Sequence, residues 1–157
     1  MPPANFNDFF ITCVGASASF IGLLFVAISV VLSRGDSQLE FNDRRLAETA
    51  FMALTNIFFI SLQAVMPAAN IGYIAIIFGL LGIRSAFRIF SHRKEDQAIL
   101  WFVSSNAVYL FQIFYSIRIL MNPTDVGNIY AIASLILILF GGALIRSWEL
   151  TGIRGKK

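Results

Sequence analysis

The chain has 157 residues, of which 57% are hydrophobic and 13% are charged, and its mean hydropathy is +0.75. This apolar content exceeds that of an ordinary water-soluble domain and indicates an integral membrane protein. The net charge of +3 does not indicate nucleic-acid binding, because the basic residues lie at the ends of apolar stretches and form no basic face on a soluble fold.

Five apolar stretches occupy most of the chain, each near the length of about 20 residues that a helix needs to cross a bilayer core. Membrane strands would alternate apolar and polar residues, whereas these stretches contain continuous apolar runs. We therefore predict an all-α fold, a single bundle of five transmembrane helices. The predicted spans cover residues 9–32, 46–66, 71–87, 98–121 and 128–148.

The first stretch carries a strip of small residues and follows a leader without Lys or Arg, so we predict a span and not a secretory signal. Small residues let helix backbones approach closely in lipid. The strip includes Gly15, Ser19 and Gly22. It is predicted to pack against another helix, either within the bundle or in a second copy of the chain.

Uncharged polar residues form one stripe on the second stretch and one on the fourth. Their spacing of three, four or seven residues keeps each stripe on one helical face. The stripes comprise Asn56 and Gln63 in the second stretch and Ser105, Tyr109, Gln112 and Ser116 in the fourth. Polar side chains in lipid need partners or water, so they either line a conduit or form hydrogen bonds between helices.

Eleven of the twelve Lys and Arg residues fall on one side of the predicted bundle. The positive-inside rule makes that side cytoplasmic, which places the amino terminus outside and the carboxyl terminus inside a cell inner (plasma) membrane. Arg84, Arg88 and Arg146 cluster on the cytoplasmic side and are predicted to bind anionic lipid headgroups.

Arg118 is the one basic residue at the outer end of a span. It is predicted to form the outer mouth of a conduit and attract anions, or to pair with Asp8 or Asp125. A third alternative is that its side chain extends outward to the membrane surface.

The second and third stretches resemble the fourth and fifth. The segment from Asn56 to Phe59 aligns with the segment from Gln112 to Tyr115 at an offset of 56 residues. Both pairs of stretches run in the same direction, so a duplication of 46–87 as 98–148 would be a parallel repeat about an axis along the membrane normal. Chance similarity between two Phe- and Ile-rich sequences is the alternative.

No arrangement of residues points to an enzyme, a metal site or a cofactor. The segment Gly15-Ala16-Ser17 resembles a fragment of the serine motif of rhomboid proteases, but the single histidine, His92, lies in a cytoplasmic gap and cannot serve as its base. One cysteine, Cys13, forms no multi-cysteine metal site. We predict an oligomeric channel or solute conduit lined by the polar stripes, or alternatively a non-conducting accessory, assembly or scaffold subunit. The expected partners are the lipid bilayer, further copies of the chain and other membrane proteins.

Overall fold

The computed structural model describes residues 4–33, 41–66, 70–90 and 96–150, and side chains for 6–29, 46–66, 70–87, 103 and 106–148 within them. The described residues are almost entirely helical, which confirms the predicted all-α fold. They form α1 (Ala4–Ser33), α2 (Phe41–Val65), α3 (Ile71–Phe90), α4 (Asp96–Met121) and α5 (Val126–Leu150). Residues 67–69, between α2 and α3, lie outside the described residues.

Three helices are long and apolar enough to cross a membrane, which supports the membrane character indicated by composition. Their apolar segments are Phe6–Ser29, Leu46–Val65 and Val126–Trp148. Within the described residues α3 and α4 contain shorter apolar segments, Ile71–Phe87 and Asn106–Met121. Five spans and the predicted topology therefore stay predictions.

Helices α2, α3, α4 and α5 contact one another in cyclic order, so α2 and α4 lie diagonally opposite across the bundle. Helix α1 packs on the outside of this ring, mainly against α2 and to a small extent against α5. A continuous apolar core receives side chains from all five helices, including Phe10, Ile57, Ala75, Ile119 and Ile136. The core thus fills the space that the ring encloses.

Helix α1 buries its aromatic face and exposes its small-residue strip. Phe6, Phe10 and Leu24 are buried, whereas Gly15 and Gly22 have nothing within 4 Å of a Cβ built on them. Ser19 is also exposed and donates a hydrogen bond to the Gly15 carbonyl of its own helix. Within the described residues the strip packs against no other helix, and of the two alternatives its contact with a second copy stays a prediction.

The orientation of α1 follows from the small residues that its partner supplies. Leu24 of α1 packs with Ala47 and Ala50 of α2 in a separate apolar cluster. Since dispersion contacts drive association in lipid, a bulky face against a flat alanine face forms more contacts than two flat faces do. The aromatic side of α1 consequently turns inward.

Helices α3 and α4 approach closely because glycines of α3 face bulky side chains of α4. A Cβ built on Gly79 would lie 2.6 Å from Cγ1 of Ile113, and one on Gly82 would lie 2.5 Å from Cε1 of Tyr109. These distances are far shorter than an ordinary van der Waals contact. The glycines therefore set the spacing of the two helices.

A short turn joins α4 to α5 around Pro123. The Asn122 amide donates to the Arg118 carbonyl over 2.8 Å and ends α4, and the Asp125 carboxylate accepts from the Gly127 amide over 2.9 Å and caps α5. The proline, which cannot continue α4, thus lies in a tight hairpin.

Candidate functional site

The two polar stripes meet at one point in the centre of the bundle. Asn56 of α2 donates from Nδ2 to Oε1 of Gln112 over 2.8 Å, and Gln112 of α4 donates from Nε2 to Oδ1 of Asn56 over 3.3 Å. Each side chain is 1% exposed. The paired amides therefore connect α2 and α4 across the diagonal of the ring, where the backbones of these two helices are not in contact.

A third helix completes this contact. Nε2 of Gln112 also donates to the carbonyl oxygen of Ala75 in α3 over 2.7 Å. Both amide protons of Gln112 thus have acceptors, and its oxygen accepts from Asn56. Because the Gln112 amide forms all of these hydrogen bonds, it connects three helices and needs no water molecule as a partner.

The other members of the α4 stripe line up beside this pair. Ser116 is fully buried and donates to the Gln112 carbonyl over 2.6 Å, within its own helix. Tyr109 is buried with its ring against Gly82. Gln63 of α2 is half-buried, and Ser105 lies outside the residues whose side chains are described.

The described members of the centre are uncharged groups, namely amides, a serine hydroxyl and a phenol. No group of three or more His, Cys, Asp or Glu residues that could hold a metal ion occurs among the described residues. Amides and hydroxyls of this kind form hydrogen bonds with one another.

The structure separates Arg118 from the partners considered for it. Its guanidinium lies 5.5 Å from the centre of the Phe114 ring, one turn earlier in α4. The Asp125 carboxylate instead accepts from the Gly127 amide and from the side-chain amide of Asn128. Among the described residues no ion pair joins Arg118 to Asp8 or to Asp125, which corrects the pairing within one chain that the sequence allows.

The basic residues at the opposite end occupy different environments. Arg84 is exposed at the end of α3. Arg146 is half-buried in α5, near enough to Tyr109 for an electrostatic interaction. Arg88 lies outside the residues whose side chains are described. Binding of lipid headgroups by this cluster stays a prediction.

Two contacts of the bundle were not identified from the sequence. One is the Ala75 carbonyl, a backbone acceptor for which no residue type signals a role. The other is the contact of α1 with α2, where buried Ser17 of α1 donates to the Cys13 carbonyl over 2.6 Å and Ser61 of α2 lies against the Cys13 thiol. The spacing of Phe6, Phe10 and Cys13 at intervals of three and four residues could have indicated the inner face of α1.

Comparisons of the chain with protein-family models, with curated proteins and with solved structures found no match.

Proposed function

We propose that this protein is a multi-pass membrane protein that acts as a non-conducting accessory, assembly or scaffold subunit, as a homo-oligomer and without catalysis or a cofactor. The observation that supports this role is the Asn56–Gln112 pair. Two of the polar side chains predicted to line a conduit instead bond α2 to α4.

Conduction along the axis of one copy would require this centre to open. Gln112 forms hydrogen bonds with both α2 and α3, and these would have to be exchanged for bonds to water. Interhelical hydrogen bonds in membrane proteins contribute about 0.6 kcal/mol on average and at most about 1.7. The larger obstacle is the apolar core, where Ile57, Ile60 and Ile136 are buried next to the pair.

A conduit around an oligomer axis would need polar outer faces. The outer face of α4 instead presents bulky apolar side chains, among them Leu110, Phe114 and Ile117. These suit lipid or another helix and line no path for water. A polar stripe on the inside of the bundle cannot serve a pore on its outside.

The conduit remains the competing proposal because one observation favours it. Asn56, Gln112 and Ser116 are all buried, and the Asn56–Gln112 pair spans the diagonal of the four-helix ring. An apolar constriction that excludes water is one way in which a pore is gated. In that case the Asn56–Gln112 pair would be the closed state of the gate.

A flux measurement decides between the two roles. Purified protein is reconstituted alone into liposomes, and release of small ions and of uncharged solutes is followed for the wild type, Gln112→Leu and the control Ser134→Leu, which changes an exposed residue of α5 outside both polar stripes. We expect all three to leave vesicles as tight as protein-free vesicles. Flux through the wild type that Gln112→Leu alters and Ser134→Leu leaves unchanged would establish the conduit and overturn the accessory role.

A further inference from the structure

The outer strip of α1 is a face that none of the described residues covers. Its members recur at intervals of three and four residues on the side away from α2, and all are exposed. They are Asp8, Ile11, Gly15, Ala18 and Gly22. The strip has low relief over its middle, where Gly15 and Gly22 have open space around them, and a single acidic residue at its outer end.

The outer strip of α4 has the opposite shape. It also follows intervals of three and four residues, but its side chains are long or aromatic and stand clear of the protein. Its members are Leu110, Phe114, Ile117 and Met121, and Val103 continues it one heptad earlier. Beside Phe114 and Ile117 lies the exposed Arg118, held over the Phe114 ring.

The two strips lie on opposite sides of the protein. Helix α1 packs outside α2, and α4 lies diagonally across the ring from α2. One chain therefore cannot bring its own strips together. Two chains with the same orientation in a membrane can do so, because the α1 side of one faces the α4 side of the next.

The strips match in depth and direction. The ring of Phe6 contacts the ring of Tyr130, 4.5 Å between centres, so α1 begins at the end of the bundle where α4 ends and α5 begins. Gly15 is 11 residues from the start of α1 at Ala4, and Leu110 is 11 residues from the end of α4 at Met121. At 1.5 Å per residue both lie about 16 Å from that end, so the two helices would pack antiparallel with Leu110 against Gly15.

The charges match at the same end. Asp8 is four residues from the start of α1 and Arg118 is three residues from the end of α4. Both are exposed. Antiparallel packing that sets Leu110 against Gly15 brings the Asp8 carboxylate level with the Arg118 guanidinium, at the membrane surface where an ion pair is tolerated.

We propose that a second copy of the chain occupies the outer strip of α1 with its own outer strip of α4, and that Asp8 of one copy pairs with Arg118 of the next. This interface rests on the homo-oligomer in the proposed function and specifies it. Because it joins two different faces, it is head-to-tail, and successive copies form a closed ring or an open array in the membrane plane.

Disulfide cross-linking between separately tagged copies tests the interface. In a Cys13→Ser background, Gly15→Cys in one copy is oxidised with Leu110→Cys in the other. The control replaces Leu110→Cys with Leu137→Cys, which is 11 residues from the start of α5 and 59% exposed, against 57% for Leu110. We expect cross-linked dimers with Leu110→Cys only. Equal yields from both pairs, or dimers formed by Gly15→Cys with itself, would overturn the interface.

Charge reversal provides a second test of the interface, with the yield of the same cross-link as its readout. Asp8→Arg alone or Arg118→Asp alone should lower the yield of the cross-link by about tenfold, because like charges then face each other. The two reversals together in every chain should restore it. Failure of the combined variant to recover, with both single variants folded, would exclude the ion pair.

Native mass spectrometry of the wild type separates failure of the interface from failure of the proposed function. If the wild type is an oligomer but the Gly15→Cys and Leu110→Cys copies form no cross-link, the interface is refuted and the homo-oligomeric subunit is retained. A monomer in native-like lipid refutes both the interface and the homo-oligomer. The flux result is independent of either outcome.

Discussion

The pairing of Asn56 with Gln112 shows what a buried amide does when no water is near. Each amide carries donors and an acceptor that cost free energy if left without partners in an apolar medium. Here the two side chains satisfy each other, and Gln112 uses its second proton on Ala75. Spacing along each helix identified both residues as members of a polar face. It could not show that the two faces meet, because that depends on which helices lie diagonally across the ring.

A double-mutant cycle tests the contribution of this pair. Gln112→Leu leaves Asn56 without its partner and should lower the free energy of unfolding by about 1–3 kcal/mol. Asn56→Leu combined with Gln112→Leu should cost less than the sum of the single changes, with a coupling energy of about 0.6–1.7 kcal/mol. Reversible unfolding in mixed detergent micelles gives the values. Strict additivity of the two substitutions would contradict a direct bond.

At the scale of the helices, α1 and α3 use small residues in opposite ways. The glycines of α3 face Tyr109, Ile113 and Leu120 of α4 and bring the two helices close together. The glycines of α1 face outward. From the sequence alone both sets of glycines are predicted to pack against another helix. A glycine is the same residue in the sequence whether or not a neighbouring side chain occupies the space beside it. The difference arises because α2 already offers alanines to the aromatic side of α1.

Replacing one buried glycine and one exposed glycine by alanine tests whether the glycines of α3 are in close contact with α4. Gly82→Ala places a methyl group against the buried Tyr109 ring and should destabilise the protein by about 1–3 kcal/mol. Gly141→Ala is the matched control, because Gly141 lies within helix α5 and nothing lies within 4 Å of its Cβ position. Its effect should be a gain or loss below about 1 kcal/mol. Equal effects of the two alanines on unfolding would show that α3 and α4 are not in close contact there.

At the scale of the whole molecule, the ring order is the one that a parallel repeat would produce. Two hairpins related by an axis along the bundle place α2 opposite α4 and α3 opposite α5, which agrees with the cyclic contacts. Residues aligned at an offset of 56 then face each other across the axis, as Asn56 and Gln112 do. The duplication itself stays a prediction, and α1 would be the element added to it.

The orientation of the bundle in the membrane can be tested by labelling introduced cysteines. Thr124→Cys lies in the exposed turn between α4 and α5, on the predicted outer side. In a Cys13→Ser background it should react with a membrane-impermeant maleimide in intact cells, whereas Lys157→Cys should react only after permeabilisation. Labelling of Lys157→Cys but not of Thr124→Cys in intact cells would reverse the topology. Labelling of both positions in intact cells would contradict a crossing of the membrane by α5.

The sequence by itself determined the helical class and which residues form the polar faces of α2 and α4, and it indicated a membrane environment. These are local properties, because hydropathy and a period near 3.6 residues are set within one helix. Only the tertiary structure decided that the polar faces bond to each other, that α1 turns its aromatic side inward and that the Asp125 carboxylate caps α5 and leaves Arg118 on Phe114. The reason is that the contacts of a helix depend on the sizes and hydrogen-bonding groups of residues far away in the sequence. Periodicity within one helix carries no information about those residues.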